Sequence, residues 1–457
     1  MFGKYKKLFF VGIGGAGMSG IAELLHNLGF QIRGSDLSPS SVTDYLVSLG
    51  VAVYSEHSGD NLMDADLVVI SSAVGADNPE VIEARRRGIP VIKRAEMLGQ
   101  LMRLKRSIGV SGTHGKTTTT SMIGRILQRA GYDPTIIVGG VVAGMGSGAA
   151  LGEGEYLVAE ADEYDRSFLA MYPTIAVVTN IEADHMDCYD GMDDLLNSFV
   201  TYMNRVPFYG AVVISADDSN LARVRSQLAR PVTTFGFSAA ADFRAVDVQL
   251  LPGKSSFNLR HGAEPLGEIR LNVPGRHNVA NALAAVAASR EAAVPIAAIA
   301  EGLAAFRGVE RRFEIVAEVN DILLVDDYAH HPTEIAATLT TAKETYDRRV
   351  IVVFQPHLYS RTRDFALQFA QALSLADECL LVDIYPAREK PMEGVTSELI
   401  AVQAEKMGLG EFRCIGARRN VAAAVAEITH PGDMVITMGA GSITLVREEL
   451  KEALKKL

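Results

Sequence analysis

The chain reads as an α/β protein of three domains: an N-terminal Rossmann-like domain, a central P-loop ATPase-like α/β domain and a C-terminal Rossmann-like α/β domain. Three observations predict this. Its 457 residues amount to about three domains at roughly 150 residues each. Short apolar runs rich in β-branched residues alternate with helical stretches, as in parallel sheets covered by helices. That alternation restarts near Ser107 and again after Arg312, which divides the chain into 1–105, 106–312 and 313–457. No Pro/Ser-rich linker, short-period repeat or low-complexity tract interrupts it.

The composition, 48% hydrophobic and 22% charged, is that of an ordinary globular protein and excludes disordered, collagen-like or coiled-coil classes. The net charge of -11 repels phosphate backbones, and Arg85-Arg86-Arg87 is too short a basic run to reverse that. No nucleic-acid partner is expected. Cys188, Cys379 and Cys414 lie far apart, without the spacing of a disulfide framework or zinc site, so a reducing cytoplasm is the expected location. Lys4, Lys6 and Lys7 before the apolar stretch Leu8–Ile21 imitate a signal peptide. The stretch is dense in glycine, however, and Glu23 closes it without a cleavage pattern. No other apolar run reaches the ~18–20 residues of a membrane span.

In the first domain, the strand Leu8–Val11 leads into Gly12-Ile13-Gly14-Gly15-Ala16-Gly17 and a helix that stops at Gly29. Strands Gln31–Gly34, Leu67–Ser71 and Val91–Ile92 follow. The loop is a full GxGxxG between strand and helix, with Asp36 about 20 residues on at the end of the next strand. Such glycines let a pyrophosphate approach the backbone at a helix N-terminus, and the acid accepts from a ribose. The motif specifies a nucleoside diphosphate group; NAD and a UDP-sugar offer the same chemistry.

In the second domain, the strand Ser107–Ser111 leads into Gly112-Thr113-His114-Gly115-Lys116-Thr117-Thr118. The backbone of such a loop cradles the phosphates of ATP, Lys116 reaches the β/γ-phosphates, and the Thr117 hydroxyl ligates Mg²⁺. Val110 stands where the longer P-loop has glycine, so this is a GxxGKT variant. Tyr156–Ala159 delivers Glu160, then Asp162 and Glu163; a carboxylate at such a strand end is a second magnesium holder. Ile175–Thr179 delivers Asn180–Asp187, in which His185 is a metal ligand or a phosphate contact.

Later in the chain, Asn278 in Gly275-Arg276-His277-Asn278-Val279-Ala280-Asn281 is either a helix N-cap or, with the neighbouring His, a partner for an adenine edge. Arg311-Arg312 is either an interdomain charge pair or a donor to a transferring phosphate. Strand Ile322–Val325 precedes Asp326-Asp327-Tyr328-Ala329-His330-His331, and Val350–Phe354 precedes His357, Arg361 and Arg363, two arginines suited to clamp a carboxylate. Cys379–Val382 and Met434–Thr437 complete the strands. Val446, Leu450, Leu454 and Leu457 form one apolar stripe of a terminal helix that carries Glu452 and Lys456 at i,i+4.

These segments together resemble the Mur ligase family. The matching stretches are Phe10–Glu23, Gly34–Asp36, Gly112–Thr119, Glu160–Leu169, Thr179–Tyr189, Pro274–Ala285, Arg311–Glu314, Asp326–Ile335 and Phe354–Thr362, in the family's order from end to end. The first and the DDYAHHPTE segment resemble the alanine-adding branch. The resemblance implies ATP and Mg²⁺ as cofactors, UDP-N-acetylmuramate and L-alanine as substrates, no membrane partner, and a monomer or weak homodimer. It implies an acyl phosphate on the muramyl carboxylate, which the alanine amine then displaces, in peptidoglycan precursor synthesis.

Residue by residue, it implies UDP-sugar contacts from Gly15, Ala16, Gly17, Met18, Ser19, Asp36, His57 and Ser71. It puts His277, Asn278 and Asn281 near the adenine, with Arg312 and Asp327 near the nucleotide, and Tyr328, His330 and Arg361 near alanine or the muramyl carboxylate. Lys116, His185, Arg312 and His330 are the implied catalytic groups, and Thr117, Glu160 and His185 the metal holders. Sibling ligases bridge two magnesium ions with a carbamylated lysine. The comparable helix Asp193–Val200 has Asn197 and no lysine, and Leu358 stands where some members carry arginine. The competing readings are a relative that adds a whole peptide to the same sugar, a nicotinamide-dependent dehydrogenase built on the first loop alone, and an ATP-hydrolysing regulatory protein.

Overall fold

The computed structural model describes residues 3–457 except 16, 72, 140–148, 187 and 388. The chain forms two compact units: residues 1–247, 257–270 and 280–306, and residues 248–256, 271–279 and 307–457.

In the first unit, β1 (Lys7–Val11), β2 (Gln31–Ser35), β3 (Ala52–Tyr54), β4 (Leu67–Ile70) and β5 (Val91–Lys93) pair in parallel in the order β3-β2-β1-β4-β5. The continuous apolar run of β1 exists because both faces are covered. Leu8 and Phe10 enter one core, Phe9 and Val11 the other. Val11 lies opposite Ser35 on one side and Ile70 on the other. Gly12, Asp36 and Ser71 therefore leave the sheet at the same edge, beside the switch in strand order where α/β proteins bind ligands.

The second sheet contains β6 (Arg106–Ser111), β7 (Thr135–Ile137), β8 (Ala149–Ala150), β9 (Tyr156–Glu160), β10 (Ile175–Val178), β11 (Ala211–Ser215), β12 (Val232–Gly236), β13 (Phe243–Leu251), β14 (Lys254–His261) and β15 (Glu264–Leu271). Their order is β15-β14-β13-β12-β11-β10-β6-β9-β7-β8. Ser111 pairs with Val178, and Val110 with Glu160, so the glycine loop and both acid-bearing strand ends share one edge. The helix Lys116–Arg129 buries Met122, Ile123, Ile126 and Leu127. Gly302 of the helix Ile296–Ala305 lies directly on Ile126; a Cβ there would stand 2.5 Å from the Ile126 Cα.

The second unit carries β16 (Glu314–Val319), β17 (Ile322–Asp327), β18 (Val350–Phe354), β19 (Glu378–Val382), β20 (Phe412–Gly416) and β21 (Met434–Met438), in the order β16-β17-β21-β18-β19-β20. Only β16 is antiparallel to its neighbour among the pairings of this sheet. Val325, Val352 and Ile436 pack into one core, and Leu324, Val353 and Val435 into the other. Asp327, Met438 and Phe354 align, which brings the loops after β17, β21 and β18 to one edge.

Two expectations need correction here. The terminal α-helix is Arg447–Leu454, preceded by a 3₁₀ turn, and Leu457 is exposed beyond its end instead of completing the buried stripe of Val446, Leu450 and Leu454. Its ion pair joins Glu452 to Lys455, one turn apart, and not to Lys456. Among the described residues no helix is long and apolar enough to cross a membrane.

Candidate active site

The first glycine loop is held by its own backbone. Gly12 and Gly17 have positive φ, 77° and 74°, a conformation costly for any residue with a Cβ. Asp36 accepts from the Gly14 N–H at 2.8 Å and the Ser38 N–H at 3.0 Å, so its carboxylate braces the loop. A Cβ at Gly12 would stand 3.2 Å from the Ser71 Cβ, which places Ser71 against the loop. Gly15 accepts from the Met18 N–H. Met18 has its side chain in the core while Ser19 is partly exposed. Ala16 lies outside the described residues.

Two features here were not read from the sequence. Arg94 Nη1 sits 2.8 Å from where a Gly17 Cβ would be, a cation at the N-terminus of the helix Met18–Asn27. That combination suits a diphosphate. Nothing in the sequence marks Arg94, because the fold alone joins the end of β5 to the loop after β1. The second is Glu80, completely buried and paired with His57.

The second loop opens the helix Lys116–Arg129 through Gly115, at φ 84°. Its neighbours fill every space a side chain would need. A Cβ at Gly112 would meet Thr179 Oγ1 at 2.2 Å, and one at Gly115 would meet Asn281 Oδ1 at 2.3 Å. Asn281 thus packs on the second glycine loop, and Thr119 donates to it at 3.3 Å. Asn180 clamps the loop from the next strand, accepting from the His114 N–H at 2.9 Å and donating to the His114 carbonyl at 3.1 Å. Thr113 accepts from the Glu182 N–H at 2.8 Å.

Lys116 Nζ donates to the carbonyls of Gly112 (2.8 Å) and Thr113 (3.2 Å) and to both oxygens of Glu163 (2.9 Å each). Burial works against its charge, but the carboxylates of Glu163, Asp162 and Glu160 outweigh it and hold the ammonium protonated, with its pKa raised. Burial raises Glu160 too, against the pull of the Thr117 hydroxyl and of Lys116. Among the described residues its buried Oε1 has no hydrogen-bond partner. A buried carboxylate oxygen left unpaired beside a threonine hydroxyl is a donor set that fits a hard cation such as Mg²⁺. His185 lies in the loop after β10 with a positive φ of 55°, its ring edge-on to Tyr164 at 5.1 Å. Its Nε2 stands 3.7 Å from an Asp184 oxygen.

In the second unit, Glu334 joins two of the expected catalytic groups. It accepts from Arg312 Nη1 at 3.0 Å and from the His330 N–H at 3.1 Å, and His330 Nδ1 is 3.2 Å away. His330 Nδ1 also lies 3.1 Å from the Tyr328 carbonyl. The guanidinium groups of Arg311 and Arg312 sit over the Tyr328 ring at 4.8 and 5.3 Å. Asp327 accepts from the N–H groups of Phe313 (2.8 Å) and Ala329 (2.7 Å) and from Thr338 (3.1 Å), so it pins Phe313 to the helix Pro332–Thr345. Burial pushes it up to about 6, with Arg312 pulling the other way. His277 is driven down to about 4, first by burial and then by Arg312.

Two readings from this region are corrected. Asn278 is not an N-cap: the helix starts at Arg276, and the Asn278 side chain donates to the Pro274 carbonyl at 2.7 Å. Arg363 is no part of a carboxylate clamp, because it is exposed and paired with the adjacent Asp364, whereas Arg361 is buried. The helical period explains this, since two positions apart lie on different faces.

Two glycine loops at strand–helix junctions of separate sheets, with cations and carboxylates gathered at the edge of a third, define an α/β enzyme that handles two phosphorylated substrates. The chain belongs to the Mur ligase family. The family's models match it at 7–106 ("Mur ligase family, catalytic domain"), 110–289 ("Mur ligase middle domain") and 311–441 ("Mur ligase, glutamate ligase domain"). It is 51% identical to the UDP-N-acetylmuramate–L-alanine ligase of Geotalea uraniireducens, over 100% of this chain and 99% of the relative. The enzyme of that name from Geobacter sulfurreducens is 49% identical over 97% of this chain and 96% of its own. Among solved structures, the UDP-N-acetylmuramate-alanine ligase of Thermotoga maritima superposes with a TM-score of 0.82 at 29% identity, covering 98% of this chain and 99% of that one. A murein peptide ligase from Psychrobacter arcticus gives 0.71 at 26%, covering 99% of each.

Proposed function

We propose that this protein joins L-alanine to the carboxylate of UDP-N-acetylmuramate, with cleavage of ATP to ADP and phosphate. The observation that carries the reading is end-to-end similarity at about half identity to alanine ligases, in a chain that holds both glycine loops at sheet edges. A dehydrogenase has no use for the second loop, and a hydrolytic switch has none for the first.

In this reading a carboxylate oxygen of the sugar attacks the γ-phosphorus, ADP leaves, and an acyl phosphate forms. The alanine nitrogen then attacks the acyl carbon, phosphate leaves, and the nitrogen gives up a proton. Two anions must meet in the first step, so cationic charge has to be fixed in place beforehand. Lys116, held protonated in its loop, supplies it at the β/γ-phosphates, and Arg312, oriented by Glu334, at the transferring group. Mg²⁺ held by Thr117 and Glu160, with His185 as a further ligand, would neutralise phosphate charge when bound. His330 serves as the base: its Nδ1–H donates to the Tyr328 carbonyl, which leaves Nε2 as the proton acceptor. Tyr328 and Arg361 flank the amino acid or muramyl carboxylate, and Gly15, Gly17, Ser19, Asp36, His57 and Ser71 the UDP-sugar. The reading places the reaction in the cytoplasm, with domain limits near 105 and 312.

Incubation with ATP, Mg²⁺, UDP-N-acetylmuramate and L-alanine tests this by mass spectrometry. A product heavier than the sugar nucleotide by one alanyl residue is expected, and none overturns the reading.

A further inference from the structure

His57 is tied into the first domain by one ring nitrogen. Its Nδ1 lies 2.9 Å from Glu80 Oε2 and 3.0 Å from Ser35 Oγ. Ser35 Oγ donates to the same Glu80 oxygen at 2.7 Å, and Asn61 Nδ2 donates to the other at 2.9 Å. Glu80 is fully buried, so donors from the end of β2, from the loop after β3 and from the turn Gly59–Leu62 converge on one carboxylate shut off from water. With donors aimed at both its oxygens, this carboxylate acts as the acceptor in every one of these contacts. The single Ser35 proton is spent on Glu80, so the contact at Nδ1 must carry its own proton. The ring is therefore held with Nδ1–H toward Glu80, and Nε2 is its outward acceptor. Among the described residues nothing bonds Nε2.

We propose that Glu80 is the positioning residue of the sugar-nucleotide site: it fixes the tautomer and orientation of His57 so that Nε2 accepts from a ribose hydroxyl. Asp36 faces the Gly14 and Ser38 N–H groups with both its oxygens. A second acceptor at the same sheet edge meets the demand that a ribose diol makes. A carboxylate that sets which histidine nitrogen faces the ligand is also the arrangement found around metal-binding histidines. The assignment rests on the sugar-nucleotide reading above, but its first test does not.

Long-range ¹H–¹⁵N spectra of the whole protein at pH 8 should show the His57 ring protonated at Nδ1 and bare at Nε2. In Glu80→Gln the tautomers should mix. With UDP-N-acetylmuramate, Glu80→Gln should raise the KM for the sugar about tenfold with kcat changed less than twofold and the KM for ATP unmoved. His57→Ala should do the same, and the double variant should be no worse than His57→Ala alone, since both act through one ring. An Nε2–H ring in the wild type overturns the proposal even if the sugar is never turned over. So does an unchanged KM in folded Glu80→Gln, or full additivity in the double variant. Wild-type protein with the predicted ring but no alanine-dependent reaction would instead overturn the substrate reading and leave the tautomer assignment standing.

Discussion

Lys116 shows how much a single side chain is asked to do. Four oxygens surround its ammonium, two of them from Glu163, and burial pushes that carboxylate up to about 7. Lys116→Ala should lower phosphate release by 10²-fold or more, of order the loss of one preorganised charge donor. It should leave UDP-sugar affinity within about twofold, because the two glycine loops belong to separate sheets; equal loss of both, by calorimetry, contradicts this. Thr117→Ala should raise the Mg²⁺ concentration for half-maximal rate by roughly tenfold, the worth of about 1.4 kcal/mol, read from a metal titration. His277 makes a prediction about stability. Its folded value of about 4 lies below the roughly 6.5 of an unfolded histidine, so the unfolded chain takes up more protons between those values. Stability from this site is whole above pH ~6.5 and falls as the pH drops toward 4, by up to about 3 kcal/mol. In denaturant titrations, His277→Asn should flatten that slope; an unchanged slope would count against a depressed histidine.

At the level of elements, the central strands were legible because burial on both faces makes them continuous apolar runs, as in β1, β10 and β18. The loops were legible because the bends need glycine: at Gly115, positive φ and the Asn281 side chain leave no room for a methyl group. Gly115→Ala should therefore abolish ATP binding and lower the melting temperature by a few degrees; a normal ATP affinity would mean that the loop shifts freely. Less could be read where the outcome depends on which distant element arrives. The joining of Arg312 to His330 by Glu334, the approach of Arg94 to Gly17 and the burial of Glu80 beside His57 are all made by topology. The β13–β15 strands left no signal of the same kind, since only Phe243 and Ala245 of β13 are buried and the rest of that strand alternates partly buried with exposed residues. Leu457 and Asn278 failed for a local reason: each lies beside a helix end, and one residue's shift in that end moves a side chain from core to solvent or from cap to first turn.

Over the whole molecule, the proposed reaction needs a sugar-nucleotide loop, an ATP loop and an amino-acid edge together. Any two of these would suffice for a simpler protein, so the coupling of all three is what marks a ligase. That coupling appears as phosphate release from ATP and UDP-N-acetylmuramate that waits for the third substrate. The decisive measurement is the rate of that release with L-alanine, with no amino acid, and with the L-Ala-γ-D-Glu-meso-diaminopimelate tripeptide. Release should depend on L-alanine, with amide product formed in equal amount. Release with the tripeptide alone, or at one rate with or without any amine, would contradict it.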